Sequence, residues 1–208
     1  MAKQWDIVTI GHLSRNRYWG ESEAKPYRPA LCTCTLVRGD GFRLLVDPSV
    51  ADGEQMAFEL FRRSGLRPQE ISHVFLTHAH GDHHAGLRHF AQASWLAADG
   101  VATTINDSAN HPRRVEPVAN RLLDAIDVVH APGHTADHHC LRFDCDGLSI
   151  VIAGDAVMTR DFWRDRAGFF NSVDPELAAR TIQRVTDIAD IIVPGHDNCI
   201  VTRRRSTT

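Results

Sequence analysis

Between His78 and His84 the chain reads His-Ala-His-Gly-Asp-His-His, directly after the apolar run Val74-Phe75-Leu76. Four imidazoles and one carboxylate are crowded into seven residues. Imidazole and carboxylate are preferred ligands of zinc and similar divalent metals, and packing alone gives no reason for such a cluster. Further candidates stand at Pro132-Gly133-His134, Ala153-Gly154-Asp155 and Pro194-Gly195-His196, each at or just after a strand-like apolar stretch. A chain with this pattern has to bring the ends of several strands together around metal.

The apolar residues supply those strands. Their patterning predicts strands over 5–11, 31–38 and 42–47, the last two joined through Gly39-Asp40-Gly41 as a hairpin. From Leu13 to Pro29 the chain is rich in Arg, Tyr, Trp, Gly and Pro and reads as a long loop. Loops of that length in compact domains are more often functional than idle. Residues 53–65 are expected to form a helix with Met56, Ala57, Leu60 and Phe61 on one face and Gly65 at its C-terminal cap. A strand over 73–77 delivers the histidine cluster, followed by a short helix at 84–91 and a strand at 93–97. After a polar stretch from Asn106 to Arg114, strands are expected at 126–130, 139–144, 148–153 and 190–193. Asp174-Pro175 opens a helix to about Asp187, with Leu177, Ile182, Val185 and Ile188 as its apolar face. This order indicates helices packed outside two sheets, in a single domain over 1–208.

Composition bounds the partners. An apolar share of 43% and a charged share of 24% are those of an ordinary soluble globular protein. A formal charge of −3 argues against nucleic acid or anionic membrane as the main partner, and leaves room for a local basic patch. No stretch approaches a membrane span, and Met1-Ala-Lys-Gln-Trp-Asp-Ile-Val has no apolar core of signal-peptide length. A cytoplasmic setting is therefore expected, with the five cysteines reduced and buried as small hydrophobes. Cys199, three residues past His196, is the one placed to line a site.

Spacing inside the cluster is His78-x-His80-x-Asp82-His83. On a loop leaving a strand, His78 and His80 can reach one metal, while Asp82 and His83 can be aimed at a second. Two ligands per ion are too few, so His134, Asp155 and His196 are the candidates to complete the shells.

The arrangement resembles the metallo-β-lactamase superfamily of metallohydrolases. The elements that carry the resemblance are His78-x-His80-x-Asp82-His83, Pro-Gly-His134-Thr, Gly-Asp155 and Pro-Gly-His196, in the family's order, with Leu45-Val46-Asp47 similar to its Asp-bearing strand. They span about residues 7 to 200, and the compact form is most similar to the small cytoplasmic members, some of them lactonases. The resemblance implies an α/β fold, a four-layer αββα sandwich with the site at one edge of the paired sheets. It implies that His78, His80 and His134 hold metal 1, that Asp82, His83 and His196 hold metal 2, and that Asp155 bridges them. The ions implied are two divalent metals, zinc first, with manganese or iron(II) as alternatives. Two such ions bring about +4, two carboxylates remove about 2, and a bridging hydroxide leaves roughly +1. Bound water drops from a pKa of about 15.7 to about 7 in such centres, giving a nucleophile at neutral pH. Bridging hydroxide would attack the carbonyl, and Asp82 would relay a proton to the leaving group.

The expected reaction is hydrolysis of an ester, lactone or thioester of a small metabolite. A phosphodiesterase or nuclease of the same fold is the alternative, kept open by Arg15, Arg17, Arg160, Arg164 and Arg166. From a different class, a mononuclear iron sulfur-dioxygenase-like oxidoreductase would leave the second ligand set unused. With a dozen residues after His196, the helical domain with which glyoxalase II holds glutathione is not expected. His84, His138 and His139 are read as neighbours of ligands rather than ligands. Asp47 either orients a ligand or holds a turn. Tyr18, Trp19 and Trp163 either wall the substrate pocket or pack, and Arg203-Arg204-Arg205 reads as a solvated tail.

Overall fold

In a computed structural model the described residues are 1–108 and 110–202, so the Arg203-Arg204-Arg205 tail lies outside them. The chain forms two six-stranded sheets. The first runs in chain order through β1 (Ala2–Thr9), β2 (Cys34–Gly39), β3 (Phe42–Val46), β4 (His73–Leu76), β5 (Ser94–Ala98) and β6 (Glu116–Val118). The second is built from β7 (Arg121–Leu122), β8 (Ile126–His130), β9 (His139–Cys145), β10 (Leu148–Gly154), β11 (Ile191–Pro194) and β12 (Ile200–Val201), in reverse order. Helices α1 (Gly53–Ser64) and α3 (Asp99–Ser108) serve the first sheet and α5 (Pro175–Ile188) the second. The short α2 (Gly81–His84) and α4 (Arg160–Asp165) lie in loops.

Strand alternation sorts the side chains into layers. Phe42, Leu44 and Val46 of β3 and Phe75 of β4 share a core with Ile126, Leu141, Phe143, Ile150 and Ile152 of the other sheet. Their neighbours Leu45, Val74, Leu76 and Trp95 point the opposite way, onto Met56 and Leu60 of α1 and Val101 and Ile105 of α3. In the second sheet Val151 and Ile192 face outward onto Ile182 and Val185 of α5. Three apolar layers thus separate helix, sheet, sheet and helix, as the αββα expectation requires.

Both long helices form where their signals stand. Asp52 accepts from Gln55 N at 2.8 Å and Gly65, at φ 72, ends α1. Asp174 caps α5 from Leu177 N at 2.8 Å, with Pro175 at the first position. Their apolar faces are narrower than the sequence suggests. Phe61 is 56% and Ile188 39% exposed, because each sits at the margin of the stripe its sheet covers. The expected helix at 84–91 is instead α2 followed by a 3-10 turn over Leu87–Phe90. α3 runs into the stretch read only as polar, overlapping it from Asn106 to Ser108, and α4 is a further addition.

Candidate metal centre

Strand pairing decides which loops meet. β3 and β4 are parallel, with Val46 opposite Phe75, so Asp47 and Thr77-His78 leave one end of the sheet side by side. β10 and β11 are also parallel, with Gly154 opposite Pro194, which sets Asp155 beside Gly195 and His196. The approach is close enough to require glycine. A Cβ on Gly195 would lie 2.0 Å from Asp155 Oδ1. Gly133, at φ 130, brings the His134 loop against α5, where a Cβ would meet Ala178 N at 2.3 Å.

The seven residues named from sequence come together as two groups sharing one carboxylate. His80 Nδ1 is 3.0 Å from His78 Nε2 and 2.9 Å from His134 Nε2. Asp155 Oδ2 adjoins this group, 3.3 Å from His134 Nε2 and 3.7 Å from His78 Nε2. Its other oxygen, Oδ1, is 3.1 Å from His83 Nε2 and 3.2 Å from His196 Nε2. Asp82 Oδ2 lies 3.5 Å from His196 Nε2. His78, His83, His134, Asp155 and His196 are buried, whereas His80 and Asp82 are partly exposed.

Divalent metal fits this arrangement. Donors about 2.0–2.2 Å from one tetrahedral ion stand about 3.3–3.6 Å apart, close to the spacing within each group. The buried His83 Nε2 and Asp155 Oδ1 have no hydrogen-bond partner. Leaving such atoms unsatisfied is costly, and a cation accepting both lone pairs removes the cost. A donor set of imidazole and carboxylate suits zinc, manganese or iron(II).

A family model of the metallo-beta-lactamase superfamily matches residues 27–196. The chain belongs to that superfamily. It is 28% identical over 166 residues to metallo-beta-lactamase domain-containing protein 1 of Xenopus laevis, covering 78% of this chain and 69% of that protein. It is 40% identical over 168 residues to a hydroxyacylglutathione hydrolase of Xanthomonas axonopodis pv. citri, covering 78% of this chain and 59% of the relative. Among solved structures, an N-acyl homoserine lactone hydrolase with the product N-hexanoyl-L-homoserine at its catalytic metal centre superposes with a TM-score of 0.71. That likeness covers 95% of this chain and 94% of the other at 19% identity, and speaks to the fold. The expectations of family, fold and a hydrolase-type enzyme are thereby borne out.

Within this metallo-β-lactamase fold, a layer of contacts behind the converging ring nitrogens holds the rings. Asp47 stands at φ 51, accepting from Thr77 N at 2.9 Å and Thr77 Oγ1 at 2.7 Å. The same carboxylate lies 3.0 Å from His83 Nδ1, so it both orients a ring and pins the β4 exit. Cys32 Sγ is 3.2 Å from the same His83 nitrogen, a contact that nothing in the sequence signals. His196 Nδ1 faces Leu31 O at 2.8 Å, which leaves Nε2 for the centre. Of the remaining histidines, His138 is buried and stacks on His78 at 4.9 Å between centroids, with neither nitrogen hydrogen-bonded. His84 pairs with His111 at 3.0 Å, and His139 lies 2.8 Å from Asp137 O. None of the three joins either group.

The two groups differ in protonation. Burial pulls His78 far below the usual histidine range and His134 down to about 4, so both are neutral. Burial works the same way on His196 and His83, but Asp155 beside both, with Cys32 and Asp47 beside His83, reverses it and raises both. Burial would raise Asp155, but His196 and His83 hold its carboxyl well below the carboxylate range. Cys199 does not line this site: it packs against the core between the sheets. Trp163 packs toward α5 and donates to Thr186 Oγ1 at 3.0 Å, while Tyr18 meets Phe162 edge-on at 5.1 Å.

Proposed function

We propose that the chain is a dinuclear metal-dependent hydrolase acting on an ester, lactone or thioester of a small metabolite. The observation that carries this reading is the Asp155 carboxylate, whose two oxygens face two separate groups of ligand atoms. His78, His80 and His134 would hold one ion, and Asp82, His83 and His196 the other, with Asp155 between them. Two divalent ions, zinc foremost, would polarise an acyl carbonyl and make water nucleophilic near neutral pH. The chain's own part is to fix that geometry. Asp47 and Leu31 O turn His83 and His196, and Gly195 lets His196 close on Asp155. Asp82 keeps a quarter of its side chain exposed and can carry a proton between the centre and a departing alcohol or thiol. Names of relatives support acyl chemistry: one is a hydroxyacylglutathione hydrolase, and one solved neighbour is a lactone hydrolase. The complete second group weighs against a mononuclear iron oxygenase.

The same reading takes the chain as one domain with a small-molecule substrate. Among the described residues no helix is long and apolar enough to cross a membrane. All five cysteines are free, which fits the reducing cytoplasm.

Purified protein should contain two zinc or manganese per chain and hydrolyse phenyl esters, lactones or thioesters. Asp155→Ala should lower metal content and cut turnover by about 10²-fold or more, since a metal centre supplies several kcal/mol. One iron per chain with oxygen uptake on a thiol substrate, or near wild-type turnover in Asp155→Ala, would overturn the proposal.

A further inference from the structure

The loop before β2 and the segment after β10 meet beside the centre, and their charge runs against that of the chain. Residues 13–29 and 158–173 carry seven Lys and Arg against four Asp and Glu, a net +3 in a chain whose formal charge is −3. Their place is fixed by bonds to the candidate ligands. His12 O lies 3.2 Å from His196 Nδ1, and His196 N donates to Met158 O at 2.9 Å. Val173 N donates to His134 O at 3.0 Å. Arg15 is three residues from His12 and Phe170 three from Val173, and three residues reach at most about 11 Å.

Several cations there are engaged internally. Arg28 pairs with Glu21, Arg160 donates to Cys199 O at 2.9 Å, and Arg166 donates to Trp163 O at 3.1 Å. Arg15 and Arg17 are the two that lie over one run of touching rings, Tyr18, Phe162, Phe169 and Phe170. Among the described residues neither makes an ion pair with a carboxylate. Arg15 donates once, to Glu23 O at 2.7 Å, and its buried Nε has no partner. Arg17 donates to Tyr18 Oη at 3.1 Å. Both guanidinium groups lie over rings: Arg15 is 5.0 Å from the Phe170 centroid, and Arg17 is 5.0 Å from Tyr18 and 4.9 Å from Phe162. Stacking holds the guanidinium plane while leaving its edge N–H groups for planar oxyanions.

The geometry points to an anion subsite formed by Arg15 and Arg17. The substrate is then an ester, lactone or thioester bearing a carboxylate or phosphate several bonds from the carbonyl that is cleaved. This rests on the hydrolase reading above. The reaction is unchanged: the acyl–O or acyl–S bond breaks, water adds its OH to the acyl carbon, and its proton goes to the leaving group. Two arginines standing two residues apart suit a single anionic group, whereas a polynucleotide needs a row of cations.

The test is a chain-length series, the monophenyl esters of succinic to suberic acid, each with its neutral methyl phenyl diester and its ω-phosphono counterpart. The wild-type enzyme should favour an anionic ester over its neutral partner by about tenfold or more in kcat/KM at one or two chain lengths. Whether the carboxylate or the phosphonate series is favoured separates the two oxyanions. Arg15→Gln and Arg17→Gln should each shrink the preference at least threefold, mainly through KM, while Arg121→Gln on the outer strand β7 should leave it. Equal rates for anionic and neutral esters at every length would overturn the subsite and leave the hydrolase reading standing. If no ester is cleaved, calorimetric binding of the unreactive anilide acids decides: binding weakened by Arg15→Gln supports the subsite, and none overturns it.

Discussion

Gly195 shows how much of the centre rests on one missing methyl group. Its neighbour His196 approaches Asp155 Oδ1 to 3.2 Å only because the residue between strand and ligand has no Cβ. Gly195→Ala would place a carbon 2.0 Å from that oxygen, so the carboxylate has to swing away or β11 has to move. The variant should lose metal affinity by about 10–100-fold, the usual effect of disturbing the supports of a metal ligand. Circular dichroism should stay that of the wild type while dialysed protein holds less metal. A variant with full metal content would mean that the loop relaxes freely and that the close approach is incidental.

At the scale of elements, the β4 strand links core to centre. Phe75 is fully buried between the sheets, and three residues later the same strand has become the loop bearing His78. Phe75→Ala should cost about 3–5 kcal/mol in urea unfolding, the range for deleting a buried aromatic ring. Phe61→Ala on α1 should stay within about 0.5 kcal/mol, because that ring is 56% exposed. Comparable losses in the two variants would contradict the layer assignment. Strands such as β3, β4 and β10 were legible because their side chains alternate between two buried layers. α3 was not: Gly100, Thr103, Thr104 and Asn106 are poor helix formers, and the helix forms because Val101, Ala102 and Ile105 cover the first sheet. The same division holds at the site. His78, His80, Asp82, His83, His134, Asp155 and His196 declare themselves by residue type and by position after strands. Cys32 contacts His83 across 51 residues of sequence, and a buried cysteine just before β2 carries no mark of that contact.

For the molecule as a whole, the asymmetry between the two groups predicts that metal uptake depends on pH. His78 and His134 are held neutral by burial, the latter down to about 4, so protons would compete little with a first ion there. His196 and His83 are raised despite burial, because Asp155 lies beside both and further groups stand beside each, Cys32 and Asp47 at His83 and Asp82 at His196. The sign follows from linkage. Groups with raised folded values stabilise the metal-free fold fully below the ordinary histidine value of about 6.5, and that contribution is lost as pH rises through their folded values. An ion in the Asp82, His83 and His196 group needs those same nitrogens free of protons, so its contribution grows as the other fades. Equilibrium dialysis against zinc should leave two ions per chain at about pH 8.5 and close to one at about pH 5.5. Calorimetric titration near neutral pH, repeated in buffers of different ionisation enthalpy, should show proton release with the second ion and much less with the first. The rise in Tm on adding zinc should be larger at the higher pH. Equal loading at both pH values, with no proton released, would show that the groups gathered around His83 and His196 do not set the two sites apart.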